Sequence, residues 1–380
     1  MTEIRKNLID IIRSVVIDAA ETSDTALKFT TDANKSEDLK ALFSLAKVHQ
    51  VEHLVSYFLF KLGKAEYAKG FYSSLSNTTK QTYELSRIRA ALTEAEIPFI
   101  VLKGPVVRKL YPDAWMRNSC DIDVLVKDED VEKAGKVLEA LSFKKEDVLS
   151  SHDVSYTNGS VHVELHYTLI EKYRFSEISD VLGQVWTTAI KDEGTEFVMP
   201  DEYYYFYHIA HMVKHFESGG CGIRSVLDLW ILNYRTSFDK DKRASLLLNG
   251  GILKFEKELL RLANYWFSGG EGDSLQTLED FIFTGGAYGA LTNSVAVKKS
   301  VRGGRVAYLI HRLFVPYSQL VKYYPRLERF PILLPYYEVK RWVQAISRNG
   351  KGYRRELSEN IKRDKDSEAI SKMLESLGMK

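Results

Sequence analysis

The feature that most constrains the fold of this chain is a change in hydrophobic period at Pro98. Before Pro98, segments such as LKALFSLAKVHQVEHLVSYFLFKL carry apolar residues at three- and four-residue spacing, which predicts helices. After it, PFIVLK and CDIDVLV are short apolar runs with β-branched residues, typical of buried strands. HDVSYTN and SVHVELHYTL flank Gly159 and alternate at period two, which predicts an antiparallel hairpin. The chain therefore combines helices with a small β-sheet.

The same pattern predicts three regions along the 380 residues. Helical spacing covers 1–95, the strand-rich part covers 96–200, and helical spacing returns in DEYYYFYHIAHMVKHF and continues over 201–380. A chain of this length suits two or three packed units. We expect an α+β fold in which a small mixed sheet is flanked by an N-terminal and a larger C-terminal helical region.

Composition excludes several classes of protein. Apolar residues make up 45% of the chain and charged residues 27%, as in globular proteins. No apolar run approaches the roughly 18 residues that span a bilayer, and the N-terminus lacks the apolar region of a signal peptide. Cys120 and Cys221 are too few for a disulfide framework. We expect a cytoplasmic protein without a membrane span.

Two carboxylates stand on one predicted strand. Residues two apart on a strand point to the same face, so Asp121 and Asp123 in CDIDVLV project together. Adjacent carboxylates repel each other unless a cation lies between them. Paired oxygen ligands suit Mg²⁺, which completes its coordination with water and substrate phosphates. An ionised pair inside an apolar strand thus indicates a metal site.

A third acid, Glu164, lies in the middle of the strand VHVELHYTL. If that strand is adjacent to CDIDVLV, three acids converge in the arrangement used for two-metal phosphoryl transfer. The alternative is that Glu164 is a solvated residue on a half-exposed hairpin. The sequence leaves both interpretations open.

The turn at Lys103 and Gly104 joins the first strand to a predicted helix that starts with Pro105. Glycine allows a phosphate to approach the backbone, and a helix N-terminus offers free N–H groups to an anion. Lys103 would add a positive charge. The alternative is an ordinary turn between a strand and a helix.

Three histidines lie on one face of a predicted helix: His208, His211 and His215. Three imidazoles are one possible zinc ligand set. The interpretation we favour is that they line a cleft together with Lys214 and Arg224, or pack with hydrogen bonds to the backbone.

These motifs together resemble an uncharacterised nucleotidyltransferase family within the polymerase-β-like superfamily. The resemblance spans most of the chain. It rests on Leu102-Lys103-Gly104, Tyr111-Pro112, Arg117, DIDVLV, Glu164-Leu165-His166, the helix with His211, Lys214 and His215, then Arg224 and Asp228, and the segment FVPYSQLVKYYPRLERFPILLPYYEVKRW. It implies a minimal nucleotidyltransferase sheet that binds a nucleoside triphosphate (NTP) with Mg²⁺ or Mn²⁺.

The resemblance also implies roles for individual residues. Asp121 and Asp123 would bridge the metals, and Glu164 would be the third ligand or the general base. The superfamily's Gly-Ser turn reads Lys103-Gly104 here, so the serine that contacts phosphate is absent. Phosphate and nucleotide contacts would then come from Lys103, Gly104, Arg117, Lys214 and Arg224.

Three functions follow as hypotheses. The first is a nucleotidyltransferase that moves a nucleoside monophosphate from an NTP to a hydroxyl acceptor. The second is a catalytically inactive module of the antitoxin or regulator type that binds nucleotide or protein. The third takes RNA as acceptor, because residues 298–363 carry 16 Lys and Arg against 4 Asp and Glu. Without an RNA-binding motif, we favour a small molecule, glycan or protein as acceptor.

Overall fold

A computed structural model describes the fold over most of the chain. The described residues are 1–17, 36–147, 150, 152–170, 176–301, 314, 315, 317, 320, 321, 324–344 and 367–379. None of the helices in this described part is both long and apolar enough to cross a membrane.

Seven strands form one mixed sheet. They are β1 (Phe99–Val101), β2 (Asp121–Val126), β3 (Lys144–Lys145), β4 (Asp153–Thr157), β5 (His162–His166), β6 (Ile190–Lys191) and β7 (Glu196–Val198). Their order across the sheet is β3-β4-β5-β2-β1-β7-β6. Strands β4 and β5 pair antiparallel, which confirms the predicted hairpin. Strand β5 lies parallel to β2.

Helices surround the sheet and extend well beyond it. Those before the sheet and within it are α1 (Glu3–Val16), α2 (Ser36–Val48), α3 (Glu52–Lys61), α4 (Ala68–Glu94), α5 (Gly104–Arg108), α6 (Val131–Ala140), α7 (Ser176–Leu182) and α8 (Val185–Thr188). Those after it are α9 (Asp201–Glu217), α10 (Gly222–Arg235), α11 (Lys240–Asn249), α12 (Leu253–Ser268), α13 (Gln276–Gly285), α14 (Leu291–Val301), α15 (Arg326–Arg329), a helix over 334–344, and a last helix, Ser367–Ser376. This architecture confirms the expected α+β class.

The two faces of the sheet are covered by different helices. Ile122 and Val124 of β2 pack with residues of α4 and α6 in one apolar cluster. Leu125, on the opposite face, belongs to a larger cluster that contains the apolar residues of α9 and α10. Because Asp121 and Asp123 alternate with Ile122 and Val124, they lie on the face of Leu125. The carboxylates therefore face the C-terminal helices.

The large apolar cluster also joins the two ends of the chain. Helix α1 contributes Leu8 and Ile12 to the cluster that contains Phe206 and Phe255. The aromatic run of α9, residues 203–207, is buried. The division into 1–95, 96–200 and 201–380 remains a prediction about domains, while the packing connects the first and third regions through one core.

Candidate active site

The three predicted acids meet where β2 and β5 run side by side. In this parallel pair, Asp121 lies opposite His162, and Asp123 lies opposite Glu164. All three acids line a cleft of about 300 Å³. Asp123 is 1% exposed and Glu164 is 33% exposed. The register thus places one carboxylate at the base of the cleft and one where solvent reaches it.

Asp123 is held by two basic side chains. Its Oδ1 accepts a hydrogen bond from Lys103 Nζ at 2.7 Å and lies 2.8 Å from His166 Nε2. Glu164 Oε2 is 3.4 Å from the same histidine nitrogen and 4.0 Å from Lys103 Nζ. Lys103 and His166 therefore connect the two carboxylates across the strand pair.

The pKa values of the two aspartates move in opposite directions. Burial and the charge of Asp123 raise the pKa of Asp121 to about 6. Burial alone would raise the pKa of Asp123, but the ammonium of Lys103 and the hydrogen bond with His166 hold it well below its usual range. Burial opposes protonation of His166, yet its contacts with Asp123 and Glu164 raise its pKa. Strongly shifted carboxylates in a cleft are typical of functional sites.

Three residues here could hold a metal ion, and Asp121 is not among them. Ligand atoms of Asp123, Glu164 and His166 lie within 4.8 Å of one another. The second oxygen of Asp123, Oδ2, is buried and has no hydrogen-bond partner among the described residues. A buried carboxylate oxygen without a partner is costly, and a cation would satisfy it. The residues present therefore fit a divalent metal ion.

Lys103 reaches the site from an unusual backbone conformation. Its φ of 46° and ψ of −115° lie in a region that residues with a side chain rarely adopt. Its carbonyl oxygen accepts hydrogen bonds from the amides of Val106 and Val107 and from the hydroxyl of Tyr204. At Gly104, an added Cβ would lie 2.9 Å from Ser119 Oγ. The turn is thus fixed in a shape that brings the lysine onto the sheet.

Arg117 borders the cleft, but its donors are bonded within the protein. Its Nε lies 2.8 Å and 2.9 Å from the two carboxylate oxygens of Asp228, its Nη2 2.8 Å from Oδ2, and its Nη1 donates to the carbonyl oxygen of Asn118. Tyr111 donates a further hydrogen bond to Asp228 at 2.7 Å. Burial opposes the charge of Arg117, but Asp228 raises its pKa overall. We therefore expect Arg117 to stabilise the cleft wall rather than to bind phosphate.

Helices α9 and α10 form another wall of the cleft, and Lys214 and Arg224 lie on it. Lys214 Nζ is 3.1 Å from His152 Nε2. Arg224 Nη1 donates to the carbonyl oxygen of Asn118 at 3.3 Å. Arg224 and Asp121 both line the cleft, and the charge of each shifts the pKa of the other.

The three histidines of α9 also line this cleft. His211 and His215 place their Nε2 atoms 3.2 Å apart, whereas His208 Nε2 is 3.4 Å from the carbonyl oxygen of Ser225. Burial lowers the pKa of all three, so the imidazoles are neutral. Within the described ranges, the ligand groupings capable of holding a metal do not include this trio. The cleft-lining interpretation fits this placement better than zinc binding.

Tertiary structure adds cleft residues that sequence reasoning missed. The ring centres of His152 and His166 are 5.7 Å apart, and His152 also contacts the carboxylate of Asp153. At the cleft mouth, Tyr288 interacts with Gln50 and lies 3.8 Å from Cys120 Sγ. These residues come from segments far apart in the chain, so no local motif pointed to them.

Two carboxylates on one strand beside a third on a parallel strand, in a mixed sheet packed with helices, define the core of a nucleotidyltransferase. The chain belongs to the uncharacterised nucleotidyltransferase family, which it matches over residues 35–268. That range is more than half of the chain and includes both the sheet and the helices α9 and α10. No curated protein and no solved structure matches the chain.

Proposed function

We propose that this protein transfers a nucleoside monophosphate from an NTP to a hydroxyl group of an acceptor, in a reaction that depends on Mg²⁺ or Mn²⁺. The observation that carries the proposal is the register of β2 and β5, which brings Asp123 opposite Glu164 beside Asp121 in one cleft. Membership of the nucleotidyltransferase family supports the same chemistry.

Asp121, Asp123 and Glu164 are the residues that would hold the metal. The unpartnered Oδ2 of Asp123 and the raised pKa of Asp121 both fit a site that gains stability from a bound cation. Bound Mg²⁺ would neutralise charge on the triphosphate and on the departing pyrophosphate. Carboxylate oxygens are the ligands this ion prefers.

The basic side chains around the cleft would bind the triphosphate. We assign this role to Lys103, the backbone at Gly104, Lys214 and Arg224, which line the cleft from both walls. A cleft of about 300 Å³ is at the small end of the range for ligand sites, which spans roughly 300–1,000 Å³. Since in-line displacement needs mainly positioning and charge neutralisation, these contacts are the main contribution of the protein.

Glu164 is the best placed group to receive the proton. Its side chain is 33% exposed, whereas that of Asp123 is buried. The acceptor oxygen forms a bond to the α-phosphorus, the bond between the α- and β-phosphates breaks, and pyrophosphate leaves with that electron pair. The hydroxyl proton passes to Glu164.

The acceptor class is part of the proposal. We favour a small molecule, glycan or protein over RNA, because the sequence carries no RNA-binding motif. The proposal includes a cytoplasmic location, because the substrate is a nucleoside triphosphate.

The test is incubation of the pure protein with each labelled NTP, Mg²⁺ or Mn²⁺, and cell extract. We expect pyrophosphate release and a labelled product with wild type, and a loss of about a thousandfold or more in Asp121→Asn and Asp123→Asn. Asp128→Asn is the matched control, because Asp128 begins another D-x-D motif but is exposed in a short 3₁₀-helix. Wild-type turnover in either site variant would contradict the proposal.

A second candidate is a catalytically inactive nucleotide-binding module. The observation in its favour is the ion pair of Lys103 with Asp123, which neutralises one acid without a metal. This candidate predicts NTP binding with the same affinity in Mg²⁺ and in a chelator, and no turnover. The nucleotidyltransferase proposal predicts instead that NTP binds more tightly in Mg²⁺ than in the chelator.

A further inference from the structure

The ammonium group of Lys103 lies between two of the predicted metal ligands. Its Nζ is 2.7 Å from Asp123 Oδ1 and 4.0 Å from Glu164 Oε2. In two-metal phosphoryl transfer, ions about 3.5–4 Å apart share the bridging carboxylates. The ammonium of Lys103 thus lies between β2 and β5, where a metal ion bound by both Asp123 and Glu164 would be expected.

The two oxygens of Asp123 have different surroundings. Oδ1 already contacts Lys103 and, at 2.8 Å, the Nε2 of His166. Oδ2 is buried and without a hydrogen-bond partner in the part of the chain that the structure describes. A carboxylate that bridges two ions offers one oxygen to each. In Asp123 only Oδ2 is available to a metal ion, because Oδ1 already contacts Lys103 and His166.

The position of Lys103 is built into the backbone. A residue with a side chain at φ 46° costs of order 1–3 kcal/mol and persists only where neighbours hold it. Here the hydroxyl of Tyr204 donates to the Lys103 carbonyl at 3.0 Å, and the amides of Val106 and Val107 do so at 3.1 Å. The side chain is only 23% exposed. Lys103 is therefore a fixed element of the site, unlike a mobile surface lysine.

The cost of separating the ion pair leads to the same conclusion. A second divalent ion between Asp123 and Glu164 would have to displace an ammonium that is in contact with a buried carboxylate. Separating that contact is costly, since each charge would lose its partner in a desolvated place.

We infer that this nucleotidyltransferase site binds a single divalent ion, at Asp121 and the Oδ2 side of Asp123, and that Lys103 takes the position of the second cation. The inference rests on the proposed function. It changes the role proposed above for Glu164, which would pair with Lys103 and receive the acceptor proton instead of holding the metal. It also explains why this turn carries a lysine in a conformation that favours glycine.

The test counts Mn²⁺ bound in the presence of a saturating NTP analogue with a methylene group between the α- and β-phosphates. Equilibrium dialysis gives the number of ions per chain, and electron paramagnetic resonance detects the spin coupling of two Mn²⁺ ions about 4 Å apart. We expect one uncoupled ion in wild type and in Lys109→Met, an exposed control on the same segment. We expect two coupled ions in Lys103→Met.

Lys103→Gly removes the same charge and is compatible with positive φ, so it replaces Lys103→Met if that variant does not fold by circular dichroism. Two coupled ions in wild type, or one ion in the Lys103 variant that folds, would overturn the inference and leave the proposed function intact. Failure of Asp121→Asn to reduce Mn²⁺ binding would overturn the proposed function, and the inference with it.

Discussion

The ion pair of Arg117 and Asp228 gives the sharpest test of how the cleft wall is built. Asp228 is 2% exposed and accepts hydrogen bonds from Nε of Arg117 and from the hydroxyl of Tyr111. Its Oδ2 also forms an ion pair with Nη2 of Arg117 at 2.8 Å. Asp228→Asn keeps the shape of the side chain but removes its charge. The arginine remains charged, because its guanidinium does not deprotonate in proteins.

Removing one partner of a buried ion pair costs about 3–5 kcal/mol, because the other charge stays buried without compensation. Asparagine retains one acceptor oxygen, so we expect Asp228→Asn to lower the free energy of unfolding by about 3 kcal/mol. Tyr111→Phe removes only a hydrogen bond to a charged group, so we expect a loss of about 1.5–3 kcal/mol. The two variants therefore separate the contributions of charge and hydrogen bonding.

The assay is urea unfolding of Asp228→Asn, Arg117→Met and the double variant, followed by circular dichroism, with NTP binding measured in parallel. If Arg117 is structural, the double variant loses less stability than the sum of the single variants, with a coupling of at least about 1 kcal/mol. The refuting result is an Arg117→Met variant with wild-type stability that no longer binds nucleotide, since Arg117 would then contact phosphate.

Two further predictions concern stability. Burial lowers the pKa of His49 and of His53 to about 4, so both stabilise the fold in their neutral form. This contribution is complete above the unfolded pKa of about 6.5 and declines as the pH falls toward 4, by about 2 kcal/mol per histidine at pH 5. In chemical denaturation, the free energy of unfolding of His53→Gln should therefore fall less between pH 7 and pH 5 than that of wild type. An equal fall in the two proteins would contradict the burial argument. Gly285→Ala places a Cβ 2.5 Å from the carbonyl oxygen of Gly219, so we expect the free energy of unfolding, measured by heat or urea, to fall by about 1–3 kcal/mol. Gly251→Ala has nothing within 4 Å of its Cβ, so its free energy of unfolding should fall only by the cost of alanine at positive φ. Equal losses in the two glycine variants would exclude backbone crowding as the cause.

Local sequence pattern was enough to predict the elements that carry the acids. The apolar alternation of DIDVLV and HVELH specifies strands, and alternation alone places Asp121 and Asp123 on one face. The hairpin on either side of Gly159 and the helical spacing beyond Pro200 were also readable, since each depends on neighbours within a few residues. The resemblance to the nucleotidyltransferase family used the same short motifs, and the match over 35–268 confirms it.

The pairing partners of those elements were decided by tertiary structure. Whether Glu164 was a solvated hairpin residue or part of the acid cluster depended on β5 lying parallel to β2, which brings together residues about 40 positions apart. Lys103 was expected to meet phosphate, and its contact with Asp123 arises from the backbone conformation at the turn, which the sequence pattern does not encode.

The sequence by itself therefore determined which acids are candidates for a site and on which strands they lie, because strand periodicity and charge are local properties. Only the tertiary structure decided which polar side chains are partners: Arg117 with Asp228, Lys103 and His166 with Asp123, and Tyr288 with Gln50 at the mouth of the cleft. These pairings depend on helices and strands that are distant along the chain and that pack together to remove apolar surface from water. The partner of each charged group follows from that packing.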